Sequence, residues 1–296
     1  MHKLVFTLLG TGSSGGVPRV GNQWGSCDPT NSKNRRRRCA LLVRRIKERP
    51  IDEKRPEEKR PEENRPEENR IEKNREAATT LVIDTGADLR EQLLSEHVTA
   101  LDGVLLTHSH ADHIFGLDDL RQLAMHMRKP AEVYMDQFTS NIVMQAFGYC
   151  FHQAEGSSYP AFCREIRIEH PQPFSINGLG GRVAVQSILA EHGDINALGF
   201  RIADLVYLPD AKRITDADSL TRLDNIDTLV VDALRYKNHP THMNVDEALE
   251  FIAQVAPRRA ILTNMHSDLD FVQLSKKLPA GVEAGYDGLT ITLPAE

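Results

Sequence analysis

The chain has 296 residues, 40% of them hydrophobic, and a formal net charge of −6, which suits one large domain with a substantial core and argues against general affinity for nucleic acid, a local basic patch aside. Cys27, Cys39, Cys150 and Cys163 form no C-x-x-C pair, so neither a disulfide scaffold nor a cysteine zinc knuckle is expected, and the thiols read as reduced. No apolar stretch approaches bilayer length and the run Leu4 to Leu9 is too short for a signal-peptide core, so a cytoplasmic protein with no membrane partner is expected.

That first apolar run predicts a strand leading into "GTGSSGG". Gly10, Gly12 and Gly15 fit G-x-G-x-x-G, but a dinucleotide fold needs a helix next, and "VPRVGNQWG" carries Pro18, Gly21 and Gly25 instead. Gly16 stands where a Walker loop needs lysine. The glycines therefore read as a turn lining a site. "RRRR", Arg35 to Arg38, lies just before the strand "CALLVRRI" and reads as a solvated edge more readily than as a phosphate contact. Arginine then recurs every five residues from Arg55 to Arg75, a period that is neither helical nor extended. Between Arg44 and Glu76, 12 Lys or Arg face 11 Asp or Glu, so residues 48–76 are expected to be a flexible charged insertion at a hairpin tip inside a single domain spanning 1–296.

Farther along, a helix is expected from Ala87 to His97, a buried strand at "DGVLLTH", and helices from Leu117 to Met127 and Thr139 to Phe147. Residues Gly148 to His170 are too irregular to assign. The second half reads as strands at "RVAVQSILAEH", "LGFRIA", "LVYLPD" and "TLVVDAL", a helix from Val245 to Val255, then "RRAILTNMH", another helix and "LTITLP". Alternation of this kind implies an α/β layered fold.

Chemistry concentrates in "LLTHSHADHIFG". A random H-x-H-x-D-H arises on the order of once in a thousand such chains. On an extended segment His108 and His110 project to the same side, and Asp112 and His113 turn back toward them as a helix begins. Such a cluster holds one metal ion with a ligand to spare, or half of a two-metal site. Further ligands fall where strands run out: His192 after "VQSILAE", Asp210 after "LVYLP" and His266 after "RRAILTNM". Asp84 in "LVIDTG" and Asp232 in "LVVDAL" also end strands, and read equally well as groups orienting ligand histidines or as ordinary turn residues. "NHPTHMN" adds His239 and His242, neither needed to complete a metal set. Imidazole and carboxylate donors without thiolate suit zinc and manganese about equally.

"THSHADH", followed by His192, Asp210 and His266, resembles the metallo-β-lactamase fold superfamily over nearly the whole chain. The resemblance implies a four-layer αβ/βα sandwich with two divalent ions, Zn or Mn, at one edge. It assigns His108, His110 and His192 to one ion, Asp112, His113 and His266 to the other, and Asp210 as the bridge. Within the superfamily, "GTGSSGGVPRVG", "NHPTHMNVDEAL" and "AGYDGLTI" are most similar to the phosphoribosyl 1,2-cyclic phosphate phosphodiesterases. That implies hydrolysis of a small, cyclic ribose phosphodiester, with Asp112 and Asp210 in the catalytic centre and His242 as general acid. Two features differ from that family: only Cys27 stands where it carries a cysteine-rich structural zinc site, and Asp210 is flanked by Pro209 and Ala211 rather than by Ser and Thr. The alternatives are a tRNA 3′-processing endonuclease of the tRNase Z type, which would bring a nucleic-acid partner, and a non-hydrolytic biosynthetic protein like the pyrroloquinoline-quinone protein B. A homodimer is left open.

Overall fold

A computed structural model describes residues 2–47 and 78–295. The insertion expected at 48–76 lies outside the described residues. In chain order the strands are β1 (His2–Gly10), β2 (Ala40–Lys47), β3 (Ala78–Ile83), β4 (Gly103–Leu105), β5 (Ala131–Met135), β6 (Cys163–Arg167), β7 (Phe174–Gly178), β8 (Gly181–His192), β9 (Ile195–Ile202), β10 (Leu205–Leu208), β11 (Thr228–Asp232), β12 (Arg259–Thr263), β13 (Val282–Ala284) and β14 (Thr290–Pro294). They form two seven-stranded sheets, ordered β14-β1-β2-β3-β4-β5-β6 and β13-β12-β11-β10-β9-β8-β7. Each sheet is mixed: β14-β1-β2-β3 and β7-β8-β9-β10 pair antiparallel, and the remaining neighbours, whose connections carry helices, run parallel.

Both faces of both sheets are covered, which is why the central strands read as continuous apolar runs instead of alternating ones. In β2, Leu41 and Val43 point into the core between the sheets, while Ala40 and Leu42 point outward. In β11, Val230 points inward, whereas Leu229 and Val231 meet the helices on the far side. The helices are α1 (Leu89–Ser95), α2 (Ala111–Ile114), α3 (Leu120–Met127), α4 (Gln137–Phe151), α5 (Ala217–Thr221), α6 (Val245–Val255) and α7 (Phe271–Ser275). Leu89, Leu120, Ala124 and Val143 of α1, α3 and α4 seal the first sheet. Val245, Ala248, Ile252 and Leu274 of α6 and α7 seal the second. Helix, sheet, sheet and helix make the expected four-layer αβ/βα sandwich.

Three expectations change. The unassigned stretch from Gly148 holds the end of α4, which departs from helical dihedrals at Phe147, and the edge strand β6. Strands β5, β7 and β13 and helix α5 had no sequence signal; each spans three to five residues, too few for a period to show. Nor is "RRRR" a solvated edge. Arg36 is only 2% exposed, donating to Leu269 O at 2.7 Å, while Arg37 pairs with Asp287 and Arg38 with Asp88. Among the described residues no helix is long and apolar enough to cross a membrane.

Candidate metal centre

Strands from both sheets end along one edge, and each end contributes a polar side chain. Strand β3 delivers Asp84; β4 delivers Thr107 and the histidine loop; β8 delivers His192; β10 delivers Asp210; β11 ends in Asp232; β12 leads to Asn264 and His266. The sheets are tied there by a hydrogen bond from Leu198 N to Thr107 O at 2.8 Å. Gly86 is required: a Cβ would stand 2.1 Å from Asp112 O.

One group of donors is made of imidazoles alone. Ring nitrogens of His108, His110 and His192 lie within 4.8 Å of one another. Thr107 Oγ1 donates to Asp84 at 2.9 Å, so its lone pair accepts from His108 Nδ1 at 3.0 Å, and His108 Nε2 is left bare. His192 Nδ1 donates to Thr241 O at 2.9 Å, leaving its Nε2 bare as well. Both bare nitrogens face His110 Nδ1, at 2.9 and 3.2 Å. One proton on His110 can satisfy only one of them, so a cation fits this place. Burial holds all three imidazoles below the ordinary histidine pKa, neutral and ready to donate lone pairs.

The second group is anionic. Buried His113 donates through Nδ1 to Asp84 Oδ2 at 2.8 Å, and its Nε2 faces Asp210 Oδ2 at 2.9 Å and Asp112 Oδ2 at 3.3 Å. Asp210 Oδ2 is buried and has no well-formed hydrogen bond among the described residues. Burial works against a charge on His113, yet Asp210, Asp84 and Asp112 lift its pKa well above the usual value. Without a metal the carboxylates keep a proton on this ring; a divalent ion answers the same demand. The close donors on this side are His108, His113 and Asp210, whose ligand atoms lie within 4.8 Å of one another and fit a cation too, with Asp112 beside His113 but outside that close group.

His266 stands at the same edge but outside these close groups. Its Nδ1 lies 3.1 Å from Asp268 Oδ1, and its Nε2 takes a hydrogen bond from Arg19 Nη2 at 2.5 Å. His242 is brought in: a ring nitrogen of His242 lies within 4.8 Å of ligand atoms on His192 and Asp210. Its Nδ1 donates to Asp232 Oδ2 at 2.7 Å, and Nε2 has no hydrogen bond among the described residues. Burial opposes its charge, but Asp232 holds the imidazole up at about 9, while burial pushes Asp232 itself up to about 7 against the pull of His242. The pair shares a proton, mostly on the imidazole. His239 stacks obliquely 5.0 Å from His242 and accepts from Thr241 N.

The loop carrying His242 is anchored by a capping box at α6, where Asn244 and Glu247 exchange hydrogen bonds of 2.8 and 2.9 Å, and by Lys212, which binds Glu247 and His242 O. Three contributors escaped the sequence reading. Thr107 sets the tautomer of His108; Asn264 Nδ2 bridges Asp210 Oδ1 at 2.9 Å and Asp232 Oδ1 at 3.2 Å; Arg19 meets His266. Only position, one residue before the motif and two before His266, could have marked the first two.

Residues 79–265 match the family model described as beta-lactamase superfamily domain. The chain belongs to the metallo-β-lactamase superfamily. Within it the protein lies close to the PhnP family: a solved structure described as a new diphosphatase from that family is 27% identical, covers 99% of this chain and 98% of its own, and superposes with a TM-score of 0.78. Zn(2+)-bound PqqB from Methylobacterium extorquens, 17% identical over 98% of this chain and 99% of its own with a TM-score of 0.64, shares the fold. A curated relative, the octanoyltransferase of Porphyromonas gingivalis, is 29% identical over 95% of this chain. The chain spans 50% of that relative's length, so the activity named for it belongs to a protein twice as long.

Proposed function

We propose that this metal-dependent hydrolase of the metallo-β-lactamase fold is a dinuclear phosphodiesterase acting on a small diester, in the first place a cyclic phosphate of ribose. His108, His110 and His192 would hold one ion; Asp112, His113 and His266 the other; Asp210 would face both. Zinc and manganese both suit these donors. Two such ions supply Lewis acidity, making water nucleophilic near neutral pH and offsetting charge on phosphoryl oxygens. His113 is oriented for its part by Asp84, and His108 by Thr107.

The observation that carries the reading is His242. A sugar alkoxide is a poor leaving group and needs a proton. His242 stands against His192 and Asp210 with a proton on a ring that Asp232 keeps charged, and with Nε2 free to deliver it. The resemblance to a PhnP-family diphosphatase supports phosphoryl rather than acyl chemistry. We place the whole of 1–296 in one such domain, in the reducing cytoplasm that its four free, buried cysteines suit.

The test is a turnover screen of the metal-loaded protein against ribose 1,2-cyclic phosphate, 2′,3′-cyclic nucleotides and a precursor tRNA. Preference for the ribose cyclic phosphate supports the reading. Cleavage of precursor tRNA alone would replace it with the endonuclease alternative, and inactivity on all three with the non-hydrolytic one.

A further inference from the structure

The loop between β11 and α6 holds two histidines, and the proposed reaction uses only one of them. His242 carries the proton for the leaving oxygen, whereas His239, three residues earlier, belongs to none of the close groups of metal donors. Yet its loop is tied down at several points. Arg235 Nη2 donates to Asn238 O at 2.9 Å, Lys212 Nζ to Asn238 Oδ1 at 3.1 Å and to His242 O at 3.3 Å, and His192 Nδ1 to Thr241 O at 2.9 Å. Gly193, at a φ of 65°, completes the seat: a Cβ there would run into Thr241 Cγ2, so the turn after His192 needs glycine for the loop to lie against it.

The same threonine orients His239. Thr241 N donates to His239 Nδ1 at 3.3 Å, and Thr241 Oγ1 lies 3.2 Å from that nitrogen. Nδ1 is therefore the lone-pair side of the ring, and the neutral imidazole carries its proton on Nε2. Partial burial, then the positive charges of His242 and Arg235 nearby, hold the ring below the ordinary histidine pKa and keep it neutral. Nε2–H has no acceptor among the described residues. The rings of His192, His242 and His239 follow one another with centroids 4.5 and 5.0 Å apart. The unused donor thus extends a row that begins among the metal donors and runs through the proton donor.

A fixed donor one ring beyond the group that protonates the leaving oxygen is placed for an oxygen next to that one. In ribose 1,2-cyclic phosphate, the ester oxygen on C2 has the free 3-hydroxyl beside it. A hydroxyl oxygen offers lone pairs to such a donor, and an uncharged ring suits an uncharged acceptor better than a second anionic group.

We infer that His239 is a specificity-determining residue that donates a hydrogen bond from Nε2 to the sugar hydroxyl adjacent to the leaving ester oxygen. The inference rests on the phosphodiesterase reading and narrows it: the substrate is a sugar whose cyclic diester has a free vicinal hydroxyl, and the sugar lacking that hydroxyl is a poorer substrate.

The test compares kcat/KM of the metal-loaded protein on ribose 1,2-cyclic phosphate and on its 3-deoxy counterpart. The wild type should favour the hydroxylated sugar by about fivefold, the size expected of one neutral hydrogen bond. His239→Ala should erase that margin by slowing the hydroxylated substrate alone, and His239→Gln, which keeps an N–H donor, should restore part of it. A margin that survives in His239→Ala, or is absent from the wild type, overturns the inference while turnover of the cyclic phosphates leaves the wider reading standing. Equal losses on both sugars in His239→Ala would make the ring a support for His242 and overturn it too. A wild type that cleaves neither sugar would sink both readings.

Discussion

Asp84 and Asp232 end strands β3 and β11 in nearly the same local sequence, "LVID" and "LVVD", one in each sheet, and both are fully buried. Their partners differ. Asp84 holds Nδ1 of His113, whose Nε2 faces Asp112 and Asp210, whereas Asp232 holds Nδ1 of His242, whose Nε2 has no hydrogen bond among the described residues. Under the proposed function one carboxylate would serve metal binding and the other a proton, and the histidine that reaches each one decides which.

Asp210 belongs to both sides, since Oδ2 meets His113 and Oδ1 meets Asn264, which also binds Asp232. Asp210→Ala should therefore have the largest effect: loss of both metals and turnover at background, checked by elemental analysis alongside hydrolysis of bis(p-nitrophenyl) phosphate. Retention of two ions with full turnover would break the account of the shared carboxylate.

On the proton side alone, His242→Ala should lower turnover of a ribose cyclic phosphate by about 10²–10⁴-fold, the usual range for general acid catalysis, with a much smaller loss on a p-nitrophenyl ester. Metal content should not change. Equal losses on the two substrates would make His242 a substrate-positioning group. On the metal side, Asp84→Asn should weaken metal affinity by about 10–100-fold, while Asp232→Asn leaves affinity near wild type and lowers only turnover of the poor leaving group. Competition with a chromogenic chelator separates the two, and equal affinity losses would erase the comparison.

A smaller effect follows from His113 in chelated protein. Its folded pKa is raised above the ordinary 6.5 by three carboxylates despite burial. The stability contributed by its proton is thus fully present below about 6.5 and is lost as pH rises through the higher folded value. Thermal scans of metal-free protein should show Tm falling over that window, with a flatter slope in Asp84→Asn. A slope untouched by that substitution would mean that His113 carries no proton in the metal-free state.

How much of this was legible in the sequence follows from where each group acts. His108, His110, Asp112 and His113 come from one loop, so their proximity is a local property; His192 and Asp210 end apolar strands and arrive among the donors, while His266, read by the same rule, stands outside the close groups beside Arg19. The layered fold was legible for the same reason, as long strands and helices carry their own periods. Thr107, Asn264 and Arg19 are single polar residues whose roles depend on partners arriving from distant segments. Arg36 was misread because its acceptor, Leu269 O, lies 233 residues away. Edge strands β6, β7 and β13 are short and partly exposed, so burial imprinted no pattern on them. Asp84 and Asp232 were legible as strand ends, but which histidine each one holds required the geometry.

In the proposed function, two cations at this edge support hydrolysis of a cyclic ribose phosphate. The most direct measurement strips the protein with chelator, returns zinc or manganese in steps, and follows the cyclic diester by phosphorus NMR. Hydrolysis should be absent in the chelated protein and should recover to saturation at about two equivalents per chain. Undiminished hydrolysis in chelator, or none at any metal loading, would contradict this reading.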